Sequence, residues 1–148
     1  MLRDPAYRFA GATIVAGALL GAFALATGRL NIDGVSPALV VLAAFVLAAE
    51  LVPLRVPMQD DDLRMSASSV FAVSILMLEG TGAALAAYLA GALLRDVLDR
   101  LALVKIAFNA ANIVLATCAA GLALEAVPAG GMLAALLAGG TLWAMNNG

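Results

Sequence analysis

The chain contains no histidine and a single cysteine, Cys118, in 148 residues. Without histidine, the commonest metal ligand and the side chain that titrates near neutral pH are both missing. One cysteine excludes a disulfide framework. Charge is scarce as well: Asp, Glu, Lys and Arg make up 12% of the residues, about half the share of an ordinary soluble domain. Eight basic residues against ten acidic ones leave a net charge of −2, which supplies no basic face for nucleic acid. The sequence also lacks a nucleophile–base spacing, a phosphate-cradling glycine loop and a zinc spacing. The chain by itself is therefore expected to be non-catalytic, with no cofactor, no metal and no nucleic-acid partner.

Apolar residues are what it has in abundance. They account for 64% of the sequence, and the mean hydropathy is +1.04. A chain this short cannot hide that much apolar surface in one water-soluble core, so the excess must face lipid. The expected fold is all-α, a polytopic transmembrane helical bundle in one integral membrane domain over 1–148, with the lipid bilayer as its first partner.

A spanning helix needs about 20 mostly apolar residues. The first such run is Phe9 to Thr27, followed by the polar turn stretch Gly28 to Gly34. The second opens at Pro37, a favourable first helical residue, with Ser36 as N-cap, and reaches Leu54 between Pro53 and Pro57. After the polar Gln59–Arg64 stretch, apolar character returns from Met65 to Leu94, broken by Glu79-Gly80-Thr81-Gly82. Each half of that region is short: Met65 to Leu78 would measure about 21 Å as a helix, against a hydrocarbon core of about 30 Å. The pair 65–78 and 83–94 is expected as a hairpin or re-entrant element. Spans from Ile106 to Val127 and from Ala129 to about Met145 complete six helical segments.

Orientation follows from the basic residues. Arg3, Arg8, Arg55, Arg64, Arg95, Arg100 and Lys105 fall on the N-terminal side and Arg29 alone on the other, a bias that places both termini in the cytoplasm. Arg3, Arg8 and the Ala24-Leu25-Ala26 sequence invite a signal-peptide reading, but the apolar run is too long for an h-region, so an uncleaved first helix is expected. The last span ends at Trp143-Ala144-Met145-Asn146-Asn147-Gly148 without a basic anchor, and the expectation is that the chain is the front part of a longer protein.

Among polar residues, Glu50 is the most informative, because a carboxylate within a span costs about 2.5–3.5 kcal/mol at mid-membrane. Ser66, Ser68, Ser69, Asn109, Asn112 and Asn146 should lie at similar depth, with Asn109 and Asn112 on one helix face. Together with Glu50 they form either a polar pocket open to the cytoplasmic side or a set of interhelical hydrogen bonds satisfying one buried carboxyl. Gly17 and Gly21 make a GxxxG, and Ala83, Ala87 and Gly91 a small-xxx-small series, suited to close helix packing within the bundle or in a homodimer. Asp60, Asp61 and Asp62 are read as loop solvation and capping of the next helix rather than a cation site. Glu79 is read as part of an exposed turn and Glu125 as an interfacial charge. Arg95 with Asp99 and Asp96 with Arg100 are i,i+4 pairs that would extend the fourth helix beyond the apolar run. Cys118 is read as core.

Several of these pieces together resemble the N-terminal membrane regions of bacterial cyclic di-GMP signalling proteins that carry GGDEF or HD-GYP domains. They are Glu50 followed by Pro53 and an acidic loop, the entry Met65-Ser66-Ala67-Ser68-Ser69-Val70-Phe71, the turn Glu79 to Gly82, and Phe108-Asn109-Ala110-Ala111-Asn112. The likeness covers roughly residues 46–146, and the catalytic motifs of that family are absent from the chain. It implies a sensory or anchoring module in the bacterial cytoplasmic membrane, responding to an unknown small ligand or to the membrane and controlling a cytoplasmic output domain after residue 148. The alternative is a small solute-binding or transport protein, resembling the substrate-capture subunits of vitamin transporters in size and helix count.

Overall fold

The computed structural model describes residues 5–32, 34–52, 54–57, 62–65, 67–127 and 136–142. Among these the fold is an all-helical bundle with one short β-hairpin. Its helices are α1 (Pro5–Ala26), α2 (Pro37–Leu51), α3 (Ser68–Glu79), α4 (Thr81–Leu98) and α5 (Leu103–Glu125). A sixth helical stretch occupies residues 136–142. Strands β1 (Leu54–Pro57) and β2 (Asp62–Met65) pair antiparallel between α2 and α3. Helices α1, α4 and α5 are long and apolar enough to cross a membrane.

Helix boundaries follow local chemistry. The hydroxyl of Ser36 accepts the Leu39 amide at 3.0 Å, so the expected cap of α2 forms, with Pro37 as the first helical residue. Helix α1 ends in a Schellman motif. Gly28, at φ +71°, donates to the Leu25 carbonyl, and Arg29 donates to that of Ala24. Helix α4 ends in the same way, with Arg100 (φ 54°) donating to Val97 and Leu101 to Asp96, so a side-chain-bearing residue occupies the left-handed position. Gly80, at φ +88°, is the single residue between α3 and α4.

Two boundaries differ from the sequence reading: α2 stops at Leu51, with Leu54 opening β1, and α3 opens later than Met65. Met65 belongs to β2, and α3 opens at Ser68 behind Ala67, with no side-chain cap. Of the acidic run expected to cap α3, Asp62 lies in β2, and Asp60 and Asp61 are outside the described residues. At 12 residues, α3 measures about 18 Å, shorter than a hydrocarbon core. Helix α4 runs on through Arg95 and Asp96 to Leu98, 18 residues in all. Of the last expected span, 129–145, only residues 136–142 are described.

Helix α1 packs on α5, α5 on α4, and α4 on both α2 and α3, which also pack on each other. The core runs between these layers through Val46, Ala72, Ile75, Leu76, Ala84, Tyr88, Ile113, Ala116, Ala138 and Leu142. Phe45 of α2 stacks on Phe71 of α3 with ring centroids 5.1 Å apart, and Phe9 of α1 meets Phe108 of α5 at 6.1 Å. The outward surface stays apolar. Phe9, Leu19, Leu25 and Leu78 are each 67% exposed, which suits helices solvated by lipid rather than by water.

Small residues set the closest approaches. A Cβ at Gly17 would lie 2.7 Å from the Ala111 Cβ and 2.8 Å from its Cα, and one at Gly21 would lie 3.4 Å from Val114. The GxxxG face of α1 thus packs on α5 within the bundle. Ala83 is buried in the core and Ala87 packs at its edge. Gly82 receives the Leu30–Asn31 backbone, with a Cβ there 2.6 Å from the Leu30 carbonyl.

Candidate functional site

The polar residues gather at the end of the bundle where α2 and α4 finish and α3 and α5 begin. Glu50, one residue before the end of α2, is 5% exposed. Its Oε1 accepts a hydrogen bond from the hydroxyl of Ser68, the first residue of α3. Its Oε2 lies 3.3 Å from Nη1 of Arg95 in the last turn of α4. Arg95 in turn reaches Asp99 through Nε at 3.6 Å. One buried carboxylate therefore joins three helices.

Room for this arrangement comes from Gly91, one turn before Arg95. A Cβ at Gly91 would stand 3.2 Å from Glu50 Cγ and 3.4 Å from Val46 Cγ1, so glycine lets α4 lie directly against the carboxylate-bearing turn of α2. The small-xxx-small series thus ends at the polar cluster. Beside it, Asp96 is buried, and its Oδ2 accepts from Asn109 Nδ2 of α5 at 2.9 Å. Successive residues of α4, Arg95 and Asp96, thereby tie it to α2 and α3 on one side and to α5 on the other.

Of the residues singled out from sequence, the structure brings Glu50 and Ser68 into direct contact and places Asn109 against Asp96. Ser69 and Asn112 are half-buried nearby on α3 and α5. Ser66 and Asn146 lie outside the described residues. Sequence reasoning missed Arg95 and Asp96 as members of the cluster, treating both as surface i,i+4 partners. The Arg95–Asp99 contact forms, but the Asp96 carboxylate turns inward to Asn109 and Arg100 takes the left-handed cap position. Arg95 stands four residues after Gly91, and that glycine was the available signal that its turn faces a neighbouring helix.

The opposite end carries a second, more exposed set of contacts. Ser36 donates its hydroxyl proton to Glu79 while capping α2, so the half-buried Glu79 joins the start of α2 to the end of α3 and is not a free turn residue. Arg29 pairs with Glu125 at 2.6 Å. Beneath that pair lies a cavity of about 20 Å³, bordered by Phe23, Thr81, Cys118 and Gly121 among others, room for about one water molecule. Cys118 is buried in α5, as expected of a core thiol. Midway along α5, Thr117 is fully buried, and its hydroxyl has no hydrogen-bond partner among the described residues. No group of three or more metal-ligating side chains occurs among the described residues.

Comparison of the chain with protein-family models, with curated proteins and with solved structures finds no match.

Proposed function

We propose that the chain is the membrane-embedded sensory or anchoring module of a bacterial signal-transduction protein. It would sit in the cytoplasmic membrane with both termini inside and act on a cytoplasmic output domain beyond residue 148. The Glu50–Ser68–Arg95 cluster carries this reading. Its ion pair and hydrogen bond together join the ends of three helices, and intramembrane ionisable groups are costly enough to mark function by default. Because Arg95 and Asp96 are adjacent on α4, a shift of that helix changes its links to α2, α3 and α5 together. A signal that binds one arrangement better than the other would change the relative placement of the helix ends on that side. Arg8, Arg95, Arg100 and Lys105 stand at this same end, with Arg29 at the other, which supports a cytoplasmic position for the cluster.

Two measurements test the proposal. The first is the intact mass of the protein purified from its own membranes. A mass tens of kilodaltons above 14.9 kDa supports an attached output domain, whereas a mass at that value overturns it and moves the solute-capture reading ahead. The second is cytoplasmic cyclic di-GMP in cells whose chromosomal copy carries Glu50→Gln. A change of severalfold at wild-type protein levels supports the signalling role, and an unchanged level overturns it.

A further inference from the structure

Helices α1 and α5 run side by side in the same direction, and the seam between them loosens along its length. Phe9 meets Phe108 at one end, and Arg29 just beyond α1 meets Glu125 at the other. The approach is closest at Gly17, where a Cβ would stand 2.7 Å from that of Ala111, and by Gly21 the gap to Val114 is 3.4 Å. One turn further on, Ala24, Cys118 and Gly121 are too small to fill the seam. The cavity beneath Arg29 and Glu125 lies there and is partly open to the surface. Phe23 and Leu122, 56% and 44% exposed, give it apolar lips.

The ion pair at the mouth leaves donors and acceptors unused. Arg29 engages Glu125 through Nη1 and Oε2. The other guanidinium nitrogens and Glu125 Oε1 have no partner among the described residues. Both side chains are accessible, at 39% and 54% exposed. Glu125 is also the last residue of α5, where the carbonyl end of the helix adds negative charge and favours a second cation. The mouth thus offers one site for an anion and one for a cation, side by side, above an apolar seam.

We propose that this mouth is a site for phosphatidylethanolamine, with the headgroup phosphate on Arg29, the ammonium on Glu125 and one acyl chain along the α1–α5 seam. The guanidinium fork suits a phosphate, and the ammonium brings N–H donors to the carboxylate. The two lipid charges are one ethylene linker apart, matching a mouth whose own charges are in contact. At about 20 Å³ the cavity admits a single methylene-sized group. It therefore seats a segment of the chain, not a whole soluble zwitterion, and the headgroup stays outside on the ion pair. The site rests on the membrane placement of the chain and is independent of any signalling role.

The test is native mass spectrometry of the full chain in detergent, offered equimolar phosphatidylethanolamine and phosphatidylcholine with the same acyl chains. The expected result is about threefold to fivefold more bound phosphatidylethanolamine, the scale of one exposed ion pair, because a trimethylammonium has no N–H for Glu125. Glu125→Gln should bring the two lipids to near equality, and Arg29→Gln should lower the binding of both about threefold. Lys105→Gln, at the opposite end of the bundle, should keep the wild-type ratio. An exposed pair adds little to stability, so these variants fold. Equal binding of the two lipids by the wild type overturns the site, as does a preference that survives Glu125→Gln or binding unchanged by Arg29→Gln. Phosphatidylglycerol bound above phosphatidylethanolamine also overturns it, since Arg29 would then be a plain anion site. Displacement of the lipid by an equal concentration of soluble phosphoethanolamine overturns it too, because the seam would then play no part. Failure of the chain to take up any of these lipids would instead refute its membrane placement.

Discussion

The Glu50 carboxylate at the end of α2 lies 3.3 Å from the guanidinium of Arg95 on α4, 45 residues later in the chain. The geometry is asymmetric. Glu50 is almost fully buried, while a quarter of the Arg95 side chain is exposed. The two substitutions should therefore differ in cost. Arg95→Ala removes a cationic partner of a buried carboxylate that keeps its Ser68 hydrogen bond, and is expected to destabilise by about 2–3 kcal/mol, below the ~3–5 kcal/mol of a fully enclosed pair. Glu50→Gln keeps an acceptor for Ser68, removes the buried charge, and is expected to cost less than about 1.5 kcal/mol. Adding Glu50→Gln to Arg95→Ala should recover stability. A double-mutant cycle by reversible detergent unfolding measures all three, and additive losses would contradict the pairing.

Gly17 and Gly21 belong to one sequence motif but make different contacts. Alanine at Gly17 meets the Ala111 backbone and Cβ inside 3.0 Å, which forces α1 and α5 apart at an expected cost of about 1–3 kcal/mol. Alanine at Gly21 meets one flexible Val114 methyl at 3.4 Å and is expected to stay within about 0.5 kcal/mol of wild type. Thermal inactivation of the two variants in the same detergent separates these outcomes, and equal effects would show that α1 docks elsewhere.

Thr117 is buried, and among the described residues its hydroxyl has no hydrogen-bond partner, so its polar group is desolvated without a bond from them in return. Thr117→Val preserves shape and removes that burden. The expected result is unchanged or raised stability, by up to about 1 kcal/mol. A clear loss in thermal unfolding would show that the hydroxyl serves a bond this geometry does not contain.

The two Schellman motifs give opposite signs for substitution. Gly28→Ala places a Cβ at φ +71° and is expected to cost about 1 kcal/mol. Arg100→Gly relieves a side-chain-bearing residue at φ 54° and is expected to gain a few tenths to about 1 kcal/mol, strain relief being partly offset by unfolded-state entropy. Unfolding midpoints of the single variants check both signs.

Composition, run length and cap residues decided a good deal of this protein on their own. Apolar content beyond any possible core determined an all-helical bundle with a lipid-suited surface. Ser36 before Pro37 determined where α2 starts, since a cap hydrogen bond and a fixed φ depend only on neighbours in the chain. Glu50 stood out because a lone carboxylate in an apolar run is expensive wherever the rest of the chain folds. Tertiary structure alone decided what Glu50 meets. Arg95 and Asp96 looked like ordinary partners of Asp99 and Arg100, because i,i+4 spacing is visible in one helix while a contact between helices is not. The same holds for the hairpin: its short alternating strands become a strand pair only when the ends of α2 and α3 are held side by side. Local hydrogen bonding is written in adjacent residues. The partners of a buried charge depend on which helix faces meet, and here glycines at 17, 82 and 91 set those approaches by letting backbones or a carboxylate-bearing turn come within contact distance.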